Sequence, residues 1–339
     1  MALRINTVLL FLAVALSAAC ASAPRPIVLT DESEHLYVNP LRVIALSDGT
    51  HFIIRQPRNY PGDEEAMTAH TVDPSTGEVL RFYSARHGLA QPRDIRGEKY
   101  GQVYGAALLQ PRSDGRKRMV LSAGWPDSKE RLRFALLIVR ENREGIWRPD
   151  GRIDGIGRAG DLAVTGDGSI LAVTSDPAGG VVAHPALTLV SSGGTILATY
   201  FPRAEGIDGG RLFIRARIQS LGGNRFAFHD GLNDVIETFR IDPATHELKE
   251  RRSVHIPALQ DEGEVAHVRG WHVDADGSIR VLRSEREERG VRNLVSRWSA
   301  AGEWLDETNE AQLLGAFWTG DDLRVVRVNQ HDVAIDSVP

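Results

Sequence analysis

Asp161-Leu162-Ala163-Val164-Thr165-Gly166-Asp167-Gly168-Ser169-Ile170-Leu171-Ala172-Val173 is the stretch whose reading decides the fold. Two short apolar runs flank a Gly-Asp-Gly turn, and runs of that length separated by an Asp-Gly turn read as a β-hairpin. The same spacing recurs. Arg42 to Gly49, Asp94 to Gly101 and Gly270 to Gly277 each place a turn glycine seven residues after the first residue, as Asp161 to Gly168 does. Looser copies start at Arg217, turning at Gly222-Gly223-Asn224, and at Gly315, turning at Gly320-Asp321-Asp322. A recurrence at a roughly fixed period points to a repeat architecture.

The starts at 42, 94, 161, 217, 270 and 315 leave room for a second hairpin in each repeat. Four are visible: Thr71 to Leu80, Leu187-Thr188-Leu189-Val190 turning at Ser192-Gly193-Gly194, Phe239-Arg240-Ile241 before Glu247-Leu248, and Val295 to Trp298 turning at Ala301-Gly302. Two hairpins make a four-stranded antiparallel unit, and such units repeated radially are the blades of a β-propeller. From residue 315 only 25 residues remain, enough for about three strands. A strand from Pro26–Leu29 or His35–Val38 would supply the fourth and close the ring. The sequence therefore predicts an all-β fold: a six-bladed β-propeller of four-stranded antiparallel blades, the last closed by an N-terminal strand. A sandwich or a pair of barrels is the competing all-β fold.

Leu89-Ala90-Gln91-Pro92-Arg93-Asp94-Ile95 running to Gly101-Gln102-Val103-Tyr104 resembles the repeat of NHL-type and TolB-like six-bladed propellers, with Arg93 where those repeats carry a small residue. The resemblance covers roughly residues 40 to 336. It implies ligand binding at the mouth of a central channel lined by the first strands. The aligned first strands then name the channel-mouth contacts: Arg42, Arg93, Asp94, Arg96, Asp161, Arg217, Gln219, Arg269 and His272. Five of these nine are arginines, which suit carboxylate or phosphate because the guanidinium binds both in bidentate fashion. The alternative is a network of Arg–Asp pairs around a solvated channel.

The N-terminus reads as an export signal. Arg4 precedes an apolar run from Ile5 to Ala19, interrupted by Asn6, Thr7 and Ser17. As a helix it would rise only about 22 Å, short of a ~30 Å hydrocarbon core. A short charged segment before such a run is the pattern of a signal peptide. Leu16-Ser17-Ala18-Ala19-Cys20 resembles the bacterial lipobox, which implies cleavage before Cys20 and lipid attachment to it. Cys20 is the only cysteine, so it has no disulfide partner. The expected organisation is a signal peptide at 1–19, a lipidated tether at 20–34 and a propeller domain at 35–339. The expected location is exported and lipid-anchored to the outer membrane, facing the periplasm or the surface.

Hydrophobic residues make up 42% of the 339 and charged residues 25%, enough apolar material for a large core. A formal net charge of −5 gives no electrostatic case for nucleic acid. No Gly-x-Ser-x-Gly elbow or phosphate loop occurs. His229-Asp230 follows an apolar strand, but no nucleophile is placed beside it. Trp125, Trp147, Trp271, Trp298, Trp304 and Trp318 would form a sugar platform only if they clustered. The charged stretches 58–65 and 283–292 read as exposed loops. The function expected is binding of a protein partner or cell-envelope component, without catalysis or cofactor. The alternative, implied by likeness to lactonase and gluconolactonase propellers, is a metal-dependent hydrolase or lyase acting on a small anionic or glycan substrate. Asp161 or Glu264 would then be among the ligands of a Ca²⁺ ion, a hard cation suited to oxygen donors. A third possibility is a structural component of a secretion or cell-wall complex.

Overall fold

The computed structural model describes residues 102–309, except 112, 127–131, 143–146, 176–184, 202–215, 232, 261–265 and 288–289; elsewhere it describes the backbone of eight strands. Alternating apolar positions bounded by glycine turns become antiparallel strands throughout. β1 (Ile27–Thr30) stands first. β2 (Asn39–Ala45), β3 (His51–Gln56), β4 (Thr68–Val72) and β5 (Val79–Tyr83) then pair in order as one sheet. β6 (Gln102–Leu109), β7 (Arg118–Pro126), β8 (Leu132–Glu141) and β9 (Trp147–Asp154) form the next. β10 (Ala159–Val164), β11 (Ile170–Ser175), β12 (Pro185–Val190) and β13 (Ile196–Tyr200) follow. So do β14 (Arg217–Gly222), β15 (Arg225–His229), β16 (Val235–Ile241) and β17 (Leu248–His255), and then β18 (Ala266–Val273), β19 (Ile279–Glu287), β20 (Gly290–Trp298) and β21 (Trp304–Asn309). β22 (Leu313–Thr319), β23 (Asp322–Val328) and β24 (Asp332–Ser337) complete the chain, and β24 pairs with β1 through Ile27↔Ile335 to Thr30↔Asp332. The architecture is a β-propeller, with each four-stranded sheet a blade.

The core lies in the seams between blades. Ile170-Leu171-Ala172-Val173 is continuously apolar because side chains alternate across the sheet and both faces are covered. Ile170 and Ala172 join Val120, Leu136 and Leu162 on one side. Leu171 and Val173 join Leu187, Phe226, Phe228 and Phe239 on the other. Trp271, Ile279 and Val281 pack on Ala227, Ile236 and Val254 in the following seam. Each large side chain buried there contributes roughly 1.5–3 kcal/mol.

One turn recurs four times. Gly168, Gly194, Gly277 and Gly302 all have φ between 85° and 90°, and each donates its N–H to the carbonyl three residues earlier. The Asp-Gly and Gly-Gly signals expected at these places are hairpin turns. Gly223 and Asn224 form a two-residue turn with φ of 57° and 61°, the two positive angles a tight hairpin of this kind requires.

Two expectations need correction. Gln102-Val103, read as the second strand of its repeat, opens the innermost strand of its blade, β6. The hairpin turn is the Ser113-Asp114-Gly115 segment, with Gly115 at φ 71°, inside the longer connection 110–117. Residues 283–292, expected as a charged loop, are mostly paired strand: Glu285 faces Arg292 and Arg286 faces Val291 across the β19–β20 hairpin. Opposite charges placed across strands stabilise such a pair, and Arg292 also reaches Glu307 at 3.6 Å.

Five first strands carry a β-bulge ahead of the turn, and the sixth, β14, slips beside its turn, between Ser220 and Gly222. Registers slip between Pro40 and Arg42, Val103 and Gly105, Ala159 and Leu162, Val268 and Gly270, and Leu313 and Gly315. A bulge bends a strand and sharpens its twist. Gly105 follows one of them, and a Cβ added there would collide with the Gly160 carbonyl oxygen of the next blade.

Candidate functional site at the long-connection mouth

The two ends of the strands differ. Connections from first to second and from third to fourth strand span two to eight residues. At the other end, five pairs of successive strands are separated in the chain by longer stretches, 57–67, 84–101, 176–184, 201–216 and 256–265. Long loops on a rigid scaffold are where binding residues collect, so the mouth at that end is the candidate site.

Of the predicted contacts, one is at this end of its strand and a second lies midway along the next first strand. Arg217 opens β14 opposite His229, and its Nη1 donates to the Ala216 carbonyl at 3.0 Å. Arg269 is the bulge residue of β18 and is exposed. Its Nε donates to Ser284 Oγ at 3.0 Å, and that hydroxyl donates to Asn293 Oδ1 at 2.6 Å. Ser284 and Asn293 are buried, so the chain of hydrogen bonds fixes the guanidinium from behind. Arg158, in the short link before β10, was not singled out from the sequence. Its guanidinium lies 5.8 Å from the Phe134 ring centre. No motif surrounds it in the sequence.

Other predicted contacts do different work. Asp161 is buried and accepts two main-chain N–H groups, from Leu162 and from Ile218 of the next blade, both at 2.9 Å. Gln219 clasps Val273 of the blade after that, accepting its N–H and donating to its carbonyl, each at 2.8 Å. These are ties across seams. His272 is fully buried with Nε2 3.5 Å from Asp274, whose carboxylate also pairs with Arg280. It lies toward the short-turn end of β18. The side chain of Arg42, and Arg93, Asp94, Arg96, Cys20 and Glu264 altogether, lie outside the described residues.

His229 and Asp230 shape their own loop. His229 Nε2 lies 2.6 Å from the Asn233 carbonyl, and its ring meets the Trp271 ring edge-on at 6.3 Å. Asp230 accepts the Asn233 N–H and side-chain amide, both at 3.0 Å. The described tryptophans do not all gather: Trp147 is buried in one blade, Trp271 is buried in another, and in that second blade Trp298 packs on the cluster around Trp271 and stands opposite the exposed Trp304 in the β20–β21 register. The side chains of Trp125 and Trp318 are outside the described residues, as is the stretch 58–65. Among the described residues no three of His, Cys, Asp and Glu converge as metal ligands. What the mouth offers is positive charge on fixed guanidiniums, suited to an anion.

No family model matches the chain, and no curated protein matches it in sequence. Solved structures do. A luciferin-regenerating enzyme superposes with TM-score 0.51 at 14% identity, over 92% of this chain and 95% of that one. Virginiamycin B lyase from Staphylococcus aureus gives 0.49 at 11%, over 93% and 99%. A protein described as a 6-phosphogluconolactonase from Bacteroides uniformis gives 0.46 at 15%, over 86% and 79%. At these identities the likeness shows fold alone. The class that fold defines is the β-propeller.

Proposed function

We propose that this is an exported, lipid-anchored β-propeller of six blades that binds an anionic protein partner or cell-envelope component at its long-connection mouth, without catalysis. Six blades in one ring are supported by the neighbours of the first strands: β2 contacts β6 and β22, and β6, β10, β14, β18 and β22 touch in sequence. Anchoring is supported by the Leu16 to Cys20 segment. The observation that supports the binding reading is that successive first strands carry Arg217 at the long-connection end and an exposed Arg269 midway along, the latter held from behind by Ser284 and Asn293.

The test is cross-linking capture from detergent-solubilised envelopes, using the Cys20→Ser form as bait. A partner retained by that form, and lost on Arg217→Ala with Arg269→Ala, is the expected result. The same capture with both arginines removed refutes the reading.

A hydrolase or lyase at the same mouth is the second reading. It is favoured by the exposed guanidinium of Arg269, which the buried Ser284 and Asn293 hold in place where a substrate anion would sit. Turnover of ester, lactone or glycan substrates, with or without added Ca²⁺, that disappears with Arg269→Ala would replace the first reading.

A further inference from the structure

At the opposite end of the strands, the fourth and fifth sheets of the chain diverge around a groove of about 650 Å³. One wall is a row across the β14–β17 sheet. Ala227 faces Thr238 and Thr238 faces Arg252 in register, and Arg225 stands two residues before Ala227 on β15. The other wall is the tight turn Asp274–Gly277. Val254, Val273 and Ile279, all buried, lie beneath.

The groove is lined by two guanidiniums and three carboxylates, and two of those carboxylates are paired with arginines outside it. Asp274 is paired with Arg280, its oxygen 2.9 Å from Nε. Asp276 accepts the Ser278 hydroxyl at 2.7 Å and the Ser278 N–H at 2.9 Å, which hold its carboxyl below the usual range. Glu250 is bound by Arg240 Nε at 2.9 Å. Arg225 and Arg252 are both exposed, and among the described residues neither has a hydrogen-bond or ion-pair partner. Two guanidiniums on one sheet face, in a groove where Glu250 and Asp274 are already paired and Asp276 is bonded to Ser278, leave donors suited to a bidentate oxyanion. The apolar bottom suits a hydrocarbon body, and burial of that body adds roughly 25 cal/mol per Å² of apolar surface.

We infer that this groove binds an amphiphilic organic carboxylate, its carboxylate held between Arg225 and Arg252 and its apolar body over Val254, Val273 and Ile279. The inference does not depend on the ligand of the long-connection mouth, since the two sites lie at opposite ends of the strands.

Isothermal titration of the Cys20→Ser chain with decanoate tests it. Arg225→Gln with Arg252→Gln should weaken binding at least tenfold. Ala300→Trp, which fills the groove from an exposed turn and leaves both arginines in place, should do the same. Decyltrimethylammonium should not bind, and Arg217→Ala with Arg269→Ala should leave decanoate affinity unchanged. Circular dichroism checks the fold of each variant; if the double glutamine variant unfolds, Ala300→Trp alone decides. No decanoate binding, or affinity unaltered by the folded groove variants, overturns the assignment.

Discussion

Both polar ends of the Gln219 amide are engaged by Val273 of the neighbouring blade, and both carboxylate oxygens of Asp161 accept main-chain N–H groups. Removing such a partner strands a buried donor or acceptor, at about 1–3 kcal/mol for each group. Gln219→Ala should therefore lower unfolding free energy by about 3 kcal/mol, read from the denaturant midpoint at unchanged slope. Loss under about 0.5 kcal/mol would mean that the tie across the seam is not formed. Tyr200 gives a second check. Burial pushes its phenol up to about 12, and its hydroxyl donates to the His246 carbonyl at 2.6 Å. A raised folded value means that the protonated phenol is favoured by folding. That stability is complete below pH 10 and is lost as pH rises through about 12. Ultraviolet titration should show one of the six tyrosines ionising late, and Tyr200→Phe should abolish that late phase. Neither tie was legible in the sequence: Asp161 and Ile218 are 57 residues apart, and no local spacing signals a bond between blades.

The recurring turn separates two effects of glycine at the scale of the element. Gly168 and Gly302 share a φ near 85°, where an L side chain costs roughly 1–2 kcal/mol. A Cβ at Gly168 meets nothing within 4 Å, whereas at Gly302 it lies 2.7 Å from the His255 carbonyl oxygen. Gly168→Ala should cost about 1–2 kcal/mol, and Gly302→Ala distinctly more, because the backbone of the preceding blade has to move. Equal losses in thermal or chemical unfolding would contradict the placement of that turn against His255. These hairpins were readable because glycine at positive φ leaves a mark at a fixed offset. The second blade was not, since Asp114-Gly115 sits in an eight-residue connection with Pro111 and breaks the spacing. The first-strand bulges left no sequence mark either. Their extra residues are as different as Leu41, Tyr104, Arg269 and Leu314, because a bulge is set by pairing and not by one residue type.

For the whole molecule, the site follows from closure. Arg158, Arg217 and Arg269 come from connections and strands more than fifty residues apart in the chain, and the proposed site needs a closed ring to bring them to one channel. The anchor is a separate claim. Cys20→Ser should move the protein from the membrane to the soluble fraction, and unchanged partitioning would refute lipidation. Closure itself rests on the pairing of Ile27–Thr30 with Asp332–Ser337, which joins the two ends of the chain. Cys20 is the only cysteine, so new pairs can be introduced cleanly in the Cys20→Ser background. The most direct measurement is disulfide trapping with Val28→Cys plus Ala334→Cys and, separately, Leu29→Cys plus Val333→Cys, both in-register partners. A closed ring predicts rapid intramolecular cross-linking in at least one pair, seen as a monomeric gel shift reversed by reductant. Free thiols or only intermolecular dimers in both pairs would contradict it.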